Sequence, residues 1–271
     1  MAKQQSKKAE PKKAATGTQV ATKPAVNDSE SLVLVQDQVP EYLQGQQEAR
    51  GSEHVGTEDL VIPRLEVVQA QSPAITEGDP GFVKGAKLGD LINSVTNQIY
   101  GREVFVVPVH YSKQWLVWRD RQKGGGFRGA YPNPEEAKDR VEQEGGKAAG
   151  FEAVDTPTHL CLIVNRETGG VDEIIVSMPK TKAKVSRQWN SMIKMAGGDR
   201  FSRVYRIMSQ SETNAKGTFQ NYVIGQSGFP SKALYQRAEK LYLAVKGGER
   251  NVVMDVKGFD AGGDTDEEGD M

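Results

Sequence analysis

The feature that most restricts the fold is the order of hydrophobic patterns between residues 100 and 250. Runs rich in β-branched and aromatic residues, which predict strands, occupy 103–110, 114–119, 159–165, 173–178, 201–208 and 218–224. Only residues 181–196 and 231–246 change to a helical period, in which apolar residues recur every three or four positions. We therefore expect a mainly β fold with some α structure.

The first two runs predict one long bent strand or a tight pair, and Pro108 marks an edge or a bulge. If they form one strand, the order is three strands, a helix, two strands and a C-terminal helix. This order matches a five-stranded OB-like barrel with its helix between strands three and four. The alternative is a generic α+β sheet with one inserted helix.

Two segments between the strand-like runs predict loops. Residues 120–157 contain several glycines and prolines, so we expect a long irregular insertion with a charged helical piece near 134–145. Residues 209–217 are polar and predict a second loop. In an OB barrel, loops at these two places border the binding face.

Charge and composition separate both ends of the chain from its middle. Residues 1–26 carry six lysines against Glu10, a net +5, and residues 27–62 carry eight acids against Arg50, a net −7. Residues 251–271 carry seven acids against Lys257, a net −6, with no apolar segment after Phe259. Such segments bury too little apolar surface to offset the entropy of ordering. We expect a disordered tail at 1–57, an OB-like domain at 58–250 and an acidic disordered tail at 251–271.

Cysteine content and hydropathy limit the class of protein. The sequence has one cysteine, Cys161, which excludes an internal disulfide framework and zinc sites of the CxxC type. No apolar run approaches the roughly 20 residues that a membrane-spanning helix needs, and no secretory signal is recognised. We expect a protein without a membrane partner in a reducing cytoplasm.

Catalytic patterns are weak. His159 and Cys161 lie two residues apart on one predicted strand, an arrangement that favours a buried cysteine beside a structural histidine over a nucleophile and its base. The glycines of Gly124-x-Gly126-x-x-Gly129 formally match a dinucleotide fingerprint, but no helix opens directly after them. We therefore expect no catalytic residues, no metal site and no cofactor, and the protein is not predicted to be an enzyme.

Two stretches combine basic and aromatic residues, the pattern of a groove that holds phosphates and stacks on bases of a single strand. The candidates of the first stretch are Lys113, Trp115, Trp118, Arg119, Arg121, Lys123, Phe127 and Arg128. Those of the second are Lys182, Arg187, Arg203, Tyr205, Arg206, Lys216, Phe219 and Tyr222.

Strand alternation divides some of these candidates between two faces. Trp115 and Trp118 point to opposite sides of a strand, so at most one of them lies on the groove while the other packs in the core. Arg203 shares a predicted face with Phe201 and Tyr205, which suggests a stacking platform. The alternatives are core tryptophans, a disordered basic loop and the ordinary solvated side of an amphipathic helix.

Several of these segments resemble bacteriophage single-stranded DNA-binding proteins. The similar motifs, spread over about residues 60–245, are Ile62-Pro63-Arg64-Leu65, Gly101 with Glu103 to Pro108, Gln114 to Arg119 running into Gly124 to Phe127, Phe201-x-x-Val204-Tyr205, and Lys216-Gly217-x-Phe219-x-Asn221-Tyr222. The resemblance implies an OB fold, binding without catalysis and an acidic tail that contacts replication or recombination proteins. One departure is that this tail has its aromatic residue, Phe259, before the acids and ends Gly269-Asp270-Met271, whereas tails of this family commonly end in an aromatic or other hydrophobic residue after the acids.

These observations predict a sequence-tolerant single-stranded DNA-binding protein that acts in phage DNA replication or recombination. Single-stranded DNA is the expected partner, and a homo-oligomer is a further expectation. The alternative is a phage virion or scaffold-like structural protein whose charged tails mediate assembly. A third reading is an enzyme with a site that the sequence patterns do not reveal.

Overall fold

The computed structural model describes residues 51–56, 59–120, 123–165, 170–215, 217–250 and 252. The chain divides into two compact units, Met1–Glu53 and His54–Met271, and all strands and helices that the structure describes lie in the second. The predicted tails 1–57 and 251–271 fall almost wholly outside the described residues.

A small antiparallel sheet opens the second unit. Its strands are β1 (Leu65–Val67), β2 (Leu91–Asn93) and β3 (Ile99–Gly101), arranged in the order β1-β2-β3. The turn between β2 and β3 is held by the Asn93 side chain, whose Oδ1 accepts hydrogen bonds from the backbone N–H groups of Val95 and Thr96.

A six-stranded antiparallel sheet forms the body of the unit. Its strands are β4 (Glu103–Arg119), β5 (Phe127–Tyr131), β6 (Phe151–Val164), β7 (Val171–Ser177), β8 (Val204–Asn214) and β9 (Gly217–Gly228). The order is β7-β6-β4-β8-β9, and β5 also pairs with β4. β4 is one long strand whose pairing with β6 shifts register between Pro108 and His110, as the position of the proline predicted.

Three helices accompany these strands in the described chain: α1 (Pro134–Gln143), α2 (Lys182–Ala196) and α3 (Lys232–Lys246). The side chains of Asn133 and Ser231 cap the first turns of α1 and α3 by accepting backbone N–H groups. α2 ends at Gly197, whose φ of +70° suits glycine. α2 and α3 lie within one residue of their predicted bounds.

The long sheet has a core on each side. The inner core joins β4, β6, β7 and β8 to one side of α2, with the side chains of Val104, Val106, Cys161, Ile163, Val176, Tyr205, Ile207, Val185, Trp189 and Ile193. The outer core joins the opposite sheet face to α3, with Val107, Val109, Leu160, Leu162, Ile175, Ala238 and Leu241. Because α3 covers the outer face of β4, β6 and β7, that face is not a free binding surface.

No sheet closes into a barrel among the described residues, so the five-stranded OB-like barrel is not observed in its closed form. The edge strands β7 and β9 do not pair with each other. Instead, the chain from Pro63 to Leu65, which enters β1, is hydrogen-bonded to both of them. Ile175 of β7 donates its backbone N–H to Pro63 O at 2.8 Å, and Tyr222 of β9 donates its hydroxyl to Leu65 O at 2.8 Å.

The two predicted loops are more ordered than expected. Residues 120–157 contain β5, the first half of β6 and α1, which confirms the charged helical piece expected near 134–145. Residues 209–214 continue β8 and pair with β9 from Gly217 onwards. The strand expected at 201–208 begins at Val204, because a turn in which Ser202 donates its N–H to Asp199 O precedes it.

Candidate nucleic-acid interface

One side of β4, β5 and β6 gathers aromatic and charged side chains. Lys113, Trp115 and Arg119 share a side of β4 because they are separated by even numbers of residues. The pairing register places Tyr131 of β5 and Asp155 of β6 on either side of Trp115. Directly paired residues point to the same face of a sheet. These five residues define the Trp115 face.

The middle of the Trp115 face is an ion pair beside an indole ring. Lys113 Nζ lies 5.3 Å from the centroid of the Trp115 ring and 2.9 Å from Asp155 Oδ2. The Lys113 side chain is 47% exposed, so its ammonium group is accessible to a ligand. Trp115 is half-buried, which leaves part of the indole ring open to solvent.

A glycine makes room for the second aromatic ring of the face. Gly129 has a φ of +143°, and a Cβ atom there would lie 2.8 Å from the hydroxyl oxygen of Tyr131. The Tyr131 ring therefore lies close against the β5 backbone at Gly129.

Two arginines extend the face towards the start of β6. The guanidinium carbons of Arg119 and Arg128 lie 5.3 Å and 5.7 Å from the centroid of the Phe151 ring, which is paired opposite Arg119. Arg119 donates its Nε–H to Ala149 O at 3.3 Å, and Arg128 Nε lies 3.9 Å from a carboxylate oxygen of Glu144. These contacts fix both guanidinium groups on the side of the sheet that carries Trp115.

The remaining candidates of the first stretch have structural contacts. Lys123 is exposed, and its Nζ donates to Ala148 O at 2.8 Å. Trp118 is only 6% exposed and packs on Phe127 with ring centroids 5.0 Å apart. The structure thus distinguishes the two tryptophans, because Trp115 is half-buried and Trp118 lies in the core. Arg121 lies outside the described residues.

Tyr205 and Tyr222 are core residues, which corrects their assignment to a binding groove. Both rings are buried, and Tyr205 meets Trp189 edge-on with centroids 5.7 Å apart. Burial raises the pKa of the Tyr222 hydroxyl. A buried ring has no face available to a base, so neither tyrosine can stack on nucleic acid in this conformation.

The stacking platform expected around Arg203 does not form. Phe201 is buried against Tyr235 of α3, with ring centroids 5.1 Å apart, and Tyr205 points into the inner core. The Nη2 group of Arg203 instead donates a hydrogen bond to Ala196 O at 3.1 Å. The guanidinium carbon of Arg203 lies 4.9 Å from the centroid of the Phe229 ring. Phe229 is 72% exposed and was not among the sequence candidates.

The other candidates of the second stretch are spread over α2, β8 and β9. Lys182 lies 5.1 Å from the centroid of the Tyr222 ring, and Arg187 is exposed on α2. Arg206 is exposed, 3.5 Å from a carboxylate oxygen of Glu103, and Phe219 is half-buried on β9. Lys216 lies outside the described residues. The structure therefore places several candidates of the first stretch on one sheet face, whereas the candidates of the second stretch are spread over three elements.

His159 and Cys161 belong to a buried structural cluster. His159 Nε2 lies 2.8 Å from Ser186 Oγ, its Nδ1 lies 2.7 Å from Arg200 Nη2, and its ring stacks on Trp189 at 4.4 Å. Burial, reinforced by the Arg200 charge, holds the pKa of His159 well below its ordinary value. Burial also raises the pKa of the Cys161 thiol to about 12, so the thiol stays protonated at neutral pH.

Tyr131 and Asp155 are site residues that the sequence candidates did not include. Their positions follow from the pairing of β5 and β6 with β4, which no local pattern specifies. Within the part of the chain that the structure describes, no group of three or more metal-ligating side chains occurs. In the same residues, no helix is long and apolar enough to cross a membrane.

The fold and the Trp115 face define a mainly β protein whose surface combines aromatic rings and cations on a sheet. Residues 29–251 match the family model of the Pam3 phage gp34-like proteins, and the chain belongs to that family. The match indicates a phage protein. No curated protein and no solved structure matches the chain.

Proposed function

We propose that the protein binds single-stranded DNA through the Trp115 face, with little dependence on sequence. The observation that carries this proposal is the row of Tyr131 and Trp115 across neighbouring strands, with Lys113, Arg119 and Arg128 on the same side. Aromatic faces stack on any base, and cations neutralise the phosphates between bases. This combination suits a single strand, whose bases are open to stacking.

The strand order supports an OB-like fold for the domain. If the five long strands β4, β6, β7, β8 and β9 are numbered in chain order, their order across the sheet is 3-2-1-4-5. α2 lies between the third and fourth of them, where an OB fold has its helix. In this proposal, the segment that lies against β7 and β9 takes the place of direct pairing between them.

We further propose that cations outside the Trp115 face contribute phosphate contacts. Lys182 and Arg187 on α2, with Arg203 and Arg206 near β8, are the residues concerned. α2 carries four basic residues and no acid. A role in phage DNA replication or recombination, and recruitment of replication or recombination proteins by the acidic segment 251–271, belong to the same proposal.

A gel-shift comparison of single-stranded DNA, duplex DNA and RNA at two salt concentrations tests the proposal. We expect the single strand to bind more tightly than the duplex, and Trp115→Ala to weaken that binding by roughly 1–3 kcal/mol, the usual contribution of one stacked base. Phe82→Ala is the matched control, because Phe82 is an exposed aromatic residue off the Trp115 face. Equal or tighter binding to duplex DNA contradicts the proposal.

A virion or scaffold-like structural role is the second candidate. It is favoured by two large apolar side chains that face solvent, Met195 at 82% and Phe229 at 72% exposure, which a protein contact could bury. Mass spectrometry of purified virions tests it: a structural protein is present in stoichiometric amounts, whereas a replication protein is missing from the particle.

A further inference from the structure

Asp155 is the acid of a face that is otherwise aromatic and basic. It sits directly opposite Trp115 in the pairing of β4 with β6, while Tyr131 occupies the other side of Trp115. A row of tyrosine, tryptophan and aspartate thus crosses three strands. A carboxylate repels the phosphates of a bound strand, so Asp155 opposes phosphate binding unless it contacts another part of the nucleotide.

The two oxygens of Asp155 are in different situations. Oδ2 receives the Lys113 ammonium group at 2.9 Å. Oδ1 is buried and has no hydrogen-bond partner among the described residues. A buried acceptor without a donor is rare in folded proteins and destabilises the fold by roughly 1–3 kcal/mol. A ligand that supplies a donor at Oδ1 would relieve this penalty.

We propose that Asp155 accepts hydrogen bonds from the base that stacks on Trp115 and so favours guanine at that position. This inference rests on the proposed function, and it adds a preference at one nucleotide to otherwise tolerant binding. A phosphate competes with Asp155 for Lys113, whose side chain is about half exposed. When Lys113 turns to the phosphate, Oδ2 loses its partner, and rotation of the carboxylate about its Cβ–Cγ bond presents both oxygens to the base.

Guanine is the base that fits a carboxylate best. An ionised carboxylate only accepts hydrogen bonds, and guanine offers two adjacent donors, N1–H and the N2 amino group. Cytosine and adenine offer one amino group next to a ring-nitrogen acceptor. Thymine offers N3–H between two carbonyl oxygens, which repel the carboxylate. We therefore expect guanine to bind most tightly and thymine least tightly.

The test compares three oligomers that differ at one position. A dye-labelled thymidine 12-mer, the same 12-mer with one central guanine, and one with inosine in its place are titrated with the full-length protein by fluorescence anisotropy in lithium buffer. We expect the guanine oligomer to bind about tenfold more tightly than the thymidine oligomer, the size of one good base contact. Inosine, which lacks the N2 amino group, should fall between them.

Two variants assign the preference to Asp155. Asp155→Asn should bring the ratio of guanine to thymidine affinity close to one, while any general gain from removing a negative charge affects both oligomers and leaves the ratio unchanged. Glu152→Gln is the matched control, since Glu152 also lies on β6 but pairs with Trp118 and binds Lys180. It should retain the preference.

The outcomes separate the inference from the function on which it rests. Tight binding of all three oligomers with equal affinity overturns the role of Asp155 and leaves single-stranded DNA binding in place. An unchanged ratio in Asp155→Asn also overturns it. If the protein binds none of the oligomers at low salt, both the proposed function and the inference fail.

Discussion

Acid should destabilise the fold through His159, the buried histidine between β6 and α2. Its ring is fully buried, Arg200 donates to Nδ1, and Nε2 therefore carries the proton that is given to Ser186. The folded state holds this imidazole neutral, with a pKa well below the ordinary value of 6.5. The unfolded chain gains a proton there as the pH falls through 6.5, while the folded protein does not.

The size of the effect follows from proton linkage. Stability from a group whose folded pKa is lowered is fully present above the unfolded pKa and is lost as the pH falls towards the folded pKa. With this histidine neutral in the fold at pH 5.5, the loss relative to pH 7.5 is about 1.4 kcal/mol.

Urea unfolding of the wild type and of His159→Gln at pH 7.5 and pH 5.5, followed by tryptophan fluorescence, measures this loss. Glutamine offers an amide oxygen to Arg200 and an amide N–H to Ser186 but does not titrate. We expect the variant to be less stable at pH 7.5 and to lose about 1.4 kcal/mol less than the wild type between the two pH values. His110→Gln is the control, because it removes a histidine that is less buried than His159. An identical pH dependence in wild type and His159→Gln refutes the reasoning.

Three further predictions concern basic residues, the acidic C-terminal segment and the packing of Tyr131 on Gly129. Arg128→Ala should weaken single-strand binding and reduce the salt slope by about 0.7, whereas an unchanged slope places the phosphates elsewhere; the same change is expected for Arg203→Ala or Arg206→Ala. Deleting residues 258–271 should raise affinity at low salt, because the acidic segment competes for basic surface, and the gain should disappear at high salt. Gly129→Ala should lower the unfolding free energy by about 1–3 kcal/mol and displace Tyr131, detectable by urea titration and NMR.

Much of the fold follows from local patterns. The apolar spacing of α2 and the β-branched runs of β4 and of the second half of β6 predict these elements locally. The charged helical piece expected near 134–145 is likewise confirmed as α1. β5 lacks such a signal, because it is a short strand with Gly129 at its centre. Its order comes from pairing with β4, which only the assembled sheet provides.

The site was harder to predict because alternation does not say which strand face is buried. The pattern correctly placed Tyr205 and Ile207 on one side of β8, but that side is the inner core and not a groove. The neighbourhood of Trp115 depends on pairing register across three strands, which joins Tyr131 and Asp155 over sequence distances that no motif spans. The sequence therefore offered Lys113, Trp115 and Arg119 as candidates, but only the assembled sheet shows that Asp155 lies beside Trp115.

Tryptophan fluorescence during titration with a single-stranded oligomer tests the central claim most directly. Of the three tryptophans in the sequence, Trp118 and Trp189 are buried and Trp115 is half-buried. Stacking of a base should quench the wild-type emission, and Trp115→Phe should still bind, because phenylalanine also stacks, but should lose the quenching. Quenching that persists in Trp115→Phe, or binding that leaves the wild-type emission unchanged, contradicts binding at the Trp115 face.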